Sequence, residues 1–214
     1  MQVVFQDPYS SLNPRMTVFE ALAEPLDSFF PGMTQDSIEQ DVEDAIIEVG
    51  LDASFLGRYP HELSGGQCQR IAIARALMPK PQLLICDEAV SALDASIRSE
   101  IIDLLLNIKL KRKLTMIFIA HDLAVVKKIC DRVVVMQKGK IVEKGKTNKI
   151  FKEMKHPYTK QLFSASDHVP ERNTKAEETP LLELNHVIRK YKLPRENIFK
   201  APQTFTAVNN VSFI

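Results

Sequence analysis

Two acidic residues, Asp87 and Glu88, end the apolar segment LLICDE and could together support phosphate chemistry. Carboxylates at the end of a buried strand in an α/β sheet lie where ligands bind. The first could hold Mg²⁺, directly or through water, and the second could accept a proton from an attacking water. The alternative is a solvent-exposed acidic turn, which is less favoured because one apolar run delivers both acids together.

The segment LSGGQCQR, residues 63–70, is the most specific motif. Ser64 can cap the helix that follows, and Gly65 and Gly66 let a phosphate approach the backbone N–H groups at the helix start. A helix N-terminus with free N–H groups and a positive dipole end is an anion site. The alternative is that Ser-Gly-Gly merely begins a helix.

Three further polar residues are weaker candidates when each is taken alone. Asp94 ends the segment SALD and can cap a helix that begins near Ala95. His121 ends another apolar segment, IFIAH, although a lone histidine is more often structural than catalytic. Gln6 lies where a strand passes into a turn, which by itself indicates very little.

The segment GKIVEKGKT, which begins at Gly139, is similar to a phosphate-binding P-loop but does not fit that pattern. Five residues separate Gly139 from Gly145, whereas the P-loop requires four between its glycines. The interior carries β-branched Ile141 and Val142, which favour a strand over a tight anion-binding turn. We therefore predict a β-hairpin over residues 133–143. The 214 residues contain no other match to G-x-x-x-x-G-K-[ST].

The elements that must position these residues follow an α/β order. Helical periodicity predicts amphipathic helices over residues 36–49 and 95–108, and apolar runs predict buried strands ending near Asp87 and near His121. Strands that alternate with helices favour a parallel sheet. Composition changes after residue 166: residues 167–180 are polar and contain proline, typical of a linker, and residues 181–214 contain two strand-like segments.

The overall composition argues against several classes of protein. Lys and Arg number 28 and Asp and Glu 27, so no global charge indicates nucleic acid or an anionic membrane. No apolar run approaches the length of a membrane span, and the first residues lack the pattern of a secretory signal. The three scattered cysteines are typical of reduced thiols in a cytosolic protein.

Together, the order and spacing of these motifs resemble the ATP-binding cassette (ABC) ATPases. FQDP, LSGGQ, LLICDE, SALD and the segment containing His121 match that family's Q-loop, signature, Walker B, D-loop and H-loop. FQDPYSSLNPRMTV and HPYTKQLFSA are similar to the ATP-binding subunits of dipeptide, oligopeptide and nickel importers. The resemblance covers residues 1–166. It implies an α/β fold: the C-terminal two-thirds of a nucleotide-binding domain, with a parallel sheet core, a helical subdomain and an antiparallel hairpin, and without the P-loop portion.

The resemblance also implies a role for each motif residue. Glu88 would be the general base, His121 would contact the γ-phosphate, and Gln6 would sense Mg²⁺ and the attacking water. Asp87 would support Mg²⁺. The residues expected to bind the nucleotide are Ser64, Gly65, Gly66 and Gln67, acting on ATP held by an opposite cassette, together with Asp94.

By the same resemblance, the protein would use ATP and Mg²⁺ to power peptide import. Its partners would be a second cassette in a head-to-tail dimer, the coupling helices of a permease, which would meet residues 7–62, and, indirectly, an extracytoplasmic solute-binding protein. No nucleic-acid partner is expected. The protein would lie peripherally on the cytoplasmic face of the inner membrane.

Two alternatives come from other functional classes. The first is a non-hydrolysing cassette remnant that only docks on a partner, because no P-loop motif is present; the chain alone is expected to be inactive. The second, a soluble cassette protein of DNA repair or translation, is disfavoured by the importer-like segments.

Residues 181–214 resemble the opening strands of a second cassette, in which Tyr191 could stack on adenine. This predicts a fragment of a tandem protein with two fused cassettes. The alternative is that these strands fold back to complete the first cassette.

Overall fold

The computed structural model describes residues 1–166, 183–192 and 204–213, which fall into two compact units. Residues 1–166 belong to the first unit and the two later ranges to the second. The linker predicted at 167–180 lies outside the described residues, so the domain boundaries remain a prediction.

Seven strands and eight α-helices occur in the described ranges. The strands are β1 (Gln2–Val4), β2 (Leu83–Asp87), β3 (Thr115–Ile119), β4 (Arg132–Gln137), β5 (Lys140–Lys146), β6 (Leu184–Lys192) and β7 (Thr204–Phe213). The helices are α1 (Pro8–Ser11), α2 (Val18–Phe29), α3 (Gln35–Glu48), α4 (Gly65–Leu77), α5 (Ala95–Arg112), α6 (Leu123–Ile129), α7 (Thr147–Glu153) and α8 (Pro157–Ser166). Two short 3₁₀ helices, Ala53–Phe55 and Pro60–Glu62, precede α4.

A parallel sheet in the order β1-β2-β3 forms the centre of the first unit, as the alternation of strands and helices predicted. Its register places Val4 beside Cys86, and Cys86 beside Phe118. Leu84 and Cys86 point into the core and are fully buried. Because all three strands run the same way in this register, the segments that follow them emerge at one edge of the sheet.

Helices α2 to α5 pack into the same core as the sheet. The predicted helix at 36–49 is α3, whose buried face is Ile38, Val42, Ala45 and Ile46. Gly50 follows it with a φ of +73°, a left-handed conformation that suits glycine beyond a helix end. Helix α5 buries Ile101, Leu105 and Ile108 along the face that its periodicity predicted.

The hairpin prediction is confirmed: β4 and β5 pair antiparallel across a turn at Lys138 and Gly139. Both turn residues have positive φ, +49° and +76°, as a tight hairpin turn requires. The second strand continues to Lys146, three residues beyond the predicted end. A Cβ on Gly145 would lie 3.2 Å from the Ile150 side chain, so this glycine allows α7 to approach the strand.

Replacing Lys146 by Ala should therefore leave ATP affinity within about twofold of wild type, because this exposed lysine lies on a strand and not in a phosphate-binding loop. The measurement is titration of the full-length gene product with a fluorescent ATP analogue. Lys140→Ala, at the other end of the same strand, is the matched control. A loss of about tenfold, the scale of a lost charge-assisted contact, would contradict the hairpin interpretation.

The second unit contains the two strands that the sequence predicted, paired antiparallel as β6 and β7. Tyr191 lies on β6 with 52% of its surface exposed, and the Arg189 guanidinium lies 5.3 Å from its ring centroid. In the described parts of both units, no helix is long and apolar enough to cross a membrane.

Candidate functional site

Three of the predicted site residues meet at the edge where the parallel strands end. Gln6 follows β1, Glu88 follows β2 directly, and His121 follows β3. The Gln6 amide Nε2 donates a hydrogen bond to Glu88 Oε2 at 2.8 Å. Nδ1 of His121 lies 3.3 Å from the other carboxylate oxygen, Oε1. The structure thus brings together the three side chains predicted to be catalytic.

Glu88 is the centre of this cluster because each carboxylate oxygen has its own partner. An ionised carboxylate can only accept hydrogen bonds, so His121 must carry its hydrogen on Nδ1 when it bonds to Glu88. The Glu88 side chain is 30% exposed and that of His121 is 68% exposed. Water and a polar ligand can therefore reach the carboxylate from the solvent side.

The backbone of Glu88 is held in an unusual conformation. Its φ is +47°, in the left-handed region that residues other than glycine seldom adopt. Its N–H donates to the Ile119 carbonyl at 3.0 Å, and its own carbonyl accepts from the Ser91 N–H and hydroxyl at 3.0 and 2.9 Å. Such strain persists where the surroundings determine it, often at functional sites.

Asp87 and Gln6 are the residues predicted to support Mg²⁺. Asp87 is half-buried at the end of β2, and the contact of Gln6 with Glu88 uses its amide nitrogen and leaves its amide oxygen as an acceptor. Within the described ranges, no cluster of three His, Cys, Asp or Glu side chains could hold a metal ion. One carboxylate and one amide oxygen suit Mg²⁺, which usually keeps several waters and shares phosphate oxygens instead of occupying an all-protein site.

The signature segment begins α4 with a reciprocal cap. The Ser64 hydroxyl accepts from the Gln67 N–H at 3.3 Å, and the Gln67 side-chain oxygen accepts from the Ser64 N–H at 2.9 Å. The first N–H groups of a helix have no intrahelical partner, and this cap uses neither that of Gly65 nor that of Gly66. These two N–H groups are the ones that an anion at the helix start could engage.

The two signature glycines differ in their surroundings. A Cβ on Gly66 would lie 2.7 Å from Cγ2 of Ile97 on α5, closer than real Cβ atoms come. A Cβ on Gly65 would meet only Leu93 and Tyr9, at 3.9 Å. Close packing of α4 on α5 therefore requires the glycine at 66, whereas the structure leaves room at 65.

The expectation that the Asp94 side chain caps α5 was wrong. Asp94 occupies the N-cap position, and its carbonyl accepts from the Arg98 N–H at 2.8 Å, but its side chain makes no capping hydrogen bond. The exposed carboxylate is consequently available to a group outside the helix.

Two residues near the site were missed by the sequence reasoning. The Tyr9 hydroxyl donates to the Leu63 carbonyl at 3.0 Å and so ties the segment after Gln6 to the residue before Ser64. Arg98 donates hydrogen bonds to the Leu93 carbonyl and to the Asp122 carboxylate. Arg98 lies outside the motifs named above, and Tyr9 lies in FQDPYSSLNPRMTV, a segment used only for the family resemblance. Tyr191 lies in the second unit.

A family model described as "ABC transporter" matches residues 1–91. The oligopeptide transport ATP-binding protein OppF of Haemophilus influenzae is 44% identical over 228 residues, covering 100% of this chain and 68% of that protein. OppF of Escherichia coli is 52% identical over 165 residues, covering 77% of this chain and 49% of that protein. The chain thus spans about half the length of some of the relatives it matches.

Two solved structures share the fold. The ATP-binding cassette MJ0796, a dimer in a post-hydrolysis state bound to ADP and Pi, is 27% identical with a TM-score of 0.60, over 68% of this chain and 63% of that one. CbiO1 from Clostridium perfringens, part of the ABC transporter complex cbiONQ, is 29% identical with a TM-score of 0.63, over 76% of this chain and 66% of that one. The chain therefore belongs to the ABC transporter family and has the mixed α/β fold of its ATPase domains.

Proposed function

We propose that this chain belongs to the ATP-binding and ATP-hydrolysing subunit of an importer that moves peptides, or a related small solute, through a membrane permease. The observation that carries the proposal is the Glu88 carboxylate held between Gln6 and His121 at the end of the parallel strands. The OppF relatives are named for oligopeptide transport, which favours peptides as the substrate class. The relatives provide no support for a non-hydrolysing remnant.

In this function, Glu88 accepts the proton of the water that attacks the γ-phosphate. The hydrogen bond from Gln6 fixes one carboxylate oxygen, and the contact with His121 fixes the other. The carboxylate thus has a defined orientation before the water arrives, which removes part of the entropic cost of alignment. The His121 imidazole, two-thirds exposed, can reach a phosphate oxygen on the solvent side.

Asp87 and the amide oxygen of Gln6 would hold Mg²⁺ at this edge of the sheet. When bound, Mg²⁺ would neutralise negative charge on the phosphates. The half-buried position of Asp87 favours such a role, since a carboxylate there is less hydrated than one on an open surface.

The signature helix would act on ATP held by a second cassette. The helix start presents the Ser64 hydroxyl and the free N–H groups of Gly65 and Gly66, where the positive end of the helix dipole favours an anion. The Gln67 side chain stabilises this cap by accepting a hydrogen bond from the Ser64 N–H. The Asp94 carboxylate, which makes no capping hydrogen bond, would lie at the same interface between the two cassettes. We further propose that β6 and β7 open a second cassette in which Tyr191, whose surface is 52% exposed, stacks on adenine.

The remaining partners follow from the same proposal. The helices within residues 7–62 would meet the permease, a solute-binding protein would act through the permease, and the subunit would lie on the cytoplasmic face of the membrane. The structural relative cbiO1 is itself described as part of a transporter complex.

Uptake of a radiolabelled peptide by the host organism tests this function. Deletion of the gene should abolish uptake, a wild-type copy should restore it, and a Glu88→Gln copy should not, because the amide cannot take the proton. A strain that keeps peptide uptake but loses that of an unrelated solute would contradict the substrate class. Restoration by the Glu88→Gln copy would contradict the hydrolytic mechanism.

A further inference from the structure

Arg98, in the first turn of α5, joins the loop that follows Glu88 to the loop that carries His121. Its Nη2 donates to the Leu93 carbonyl at 3.1 Å, and its Nη1 donates to Asp122 Oδ2 at 3.0 Å. Leu93 directly precedes Asp94, and Asp122 directly follows His121. One guanidinium therefore holds the neighbours of two proposed site residues.

The two carboxylate oxygens of Asp122 have different hydrogen-bond partners. Oδ1 accepts from the N–H groups of Ala124 and Val125, at 2.9 and 3.3 Å, and so caps α6. Oδ2 accepts from Arg98. The cap can therefore persist without Arg98. The two hydrogen bonds of Arg98, to Leu93 and to Asp122, are called the Arg98 bridge, and removing them need not change the local stability of α6.

The bridge lies where a charge-assisted contact has an appreciable effect. The Arg98 and Asp122 side chains are 30% and 33% exposed, and both line a small cavity with Glu88 and His121. The Arg98 Nε atom is buried without a hydrogen-bond partner in the described part of the chain. The free-energy cost of this unpaired donor can be offset by the hydrogen bonds of the other guanidinium N–H groups. The planar shape of the guanidinium suits two acceptors at fixed positions.

We propose that Arg98 is a positioning residue, which holds the backbone before Asp94 and the segment carrying His121 in one fixed arrangement. This inference rests on the proposed function, in which Asp94 faces a second cassette and His121 reaches the γ-phosphate. Arg98 itself bonds to neither of these side chains. Arg98 keeps His121 near Glu88 when the loop at Asp94 binds the second cassette. Association of the two cassettes and ATP hydrolysis are thereby coupled through rigid contacts.

The test measures steady-state ATP hydrolysis by the full-length gene product, assembled with its permease, for five variants and, alongside them, for Glu88→Gln. Arg98→Ala removes the bridge, and Arg98→Lys keeps the charge but offers one ammonium in place of a two-armed fork. Asp122→Asn keeps an oxygen to cap α6 but loses the charged acceptor. The double variant Arg98→Ala/Asp122→Asn tests whether the two residues act together. The matched control is Asp103→Asn, which breaks a second ion pair between α5 and α6, that of Asp103 with Lys128, 2.6 Å long.

We expect Arg98→Ala and Asp122→Asn each to lower kcat about tenfold, with the KM for ATP within about twofold, since small misplacements near the reacting groups cost rate more than binding. The double variant should be no slower than the worse single variant, as for residues that act as a unit. Arg98→Lys should fall between Arg98→Ala and wild type, and Asp103→Asn should stay near wild type.

Thermal unfolding of each variant shows whether a lowered kcat comes from misplaced side chains or from loss of the folded state. If Arg98→Ala does not fold, the kcat of Asp122→Asn, which keeps the cap, decides the question. Values of kcat within twofold of wild type for both, while Glu88→Gln is inactive, would overturn the inference and leave the proposed function intact. An active Glu88→Gln variant would overturn the proposed function and this inference with it.

Discussion

Replacing Glu88 by Gln should lower the kcat of ATP hydrolysis about 10²–10⁴-fold, the usual contribution of a positioned general base. The substitution changes little else, because Gln has the same length and an amide oxygen that can still accept from the Gln6 Nε2. The amide nitrogen can donate to Nδ1 of His121 in its other tautomer, so the cluster can keep its geometry. What is lost is the ability to take a proton.

The measurement is phosphate release at saturating ATP by the full-length gene product, with ATP affinity measured separately on the same sample. Affinity should stay within about threefold of wild type, because the interaction removed is one made in the transition state. Glu153→Gln, at an exposed position on α7, controls for the chemical change itself. Unchanged turnover in Glu88→Gln would show that another group takes the proton.

Replacing Gly66 by Ala should lower the free energy of unfolding by about 1–3 kcal/mol, the range for overpacking a filled core. The new methyl group would lie 2.7 Å from Ile97 Cγ2, and a β-branched side chain cannot rotate that methyl group away cheaply. Either α4 or α5 must shift, and a shift of α4 moves the N–H groups at its start.

Gly65→Ala is the matched control, because its methyl group would meet only atoms at 3.9 Å. Urea unfolding of both variants should separate them clearly, with Gly65→Ala close to wild type. The double variant Gly66→Ala/Ile97→Ala should recover part of the packing loss, since it removes the methyl group that clashes. Equal stabilities for the Gly65 and Gly66 variants would mean that the helices tolerate the added volume.

Some features were predictable because they depend on neighbours along the chain. The hairpin at β4 and β5 follows from turn residues at 138 and 139 flanked by β-branched residues. The cap at Ser64 requires only that its hydroxyl reach an N–H three residues away. The face of α3 that packs inward follows from a period of 3.6 residues.

Local reasoning failed for Asp94, where the N-cap residue was predicted correctly but its side-chain hydrogen bond was not. Propensity describes what a side chain does on average when its helix is considered alone. Here the nearby backbone carbonyl of Leu93 is held by Arg98, and the Asp94 carboxylate stays exposed.

By itself, the sequence determined strands β2 to β7, helices α3 to α5, the family and the identity of the residues that could do chemistry, because these depend on local propensity and motif spacing. Only the tertiary structure decided which of them meet. Gln6 and Glu88 are 82 residues apart and are joined because parallel strands in one register end at one edge. The positive φ of Glu88 depends in the same way on contacts between separate segments. Such contacts are made by residues distant in sequence, so no spacing along the chain encodes them.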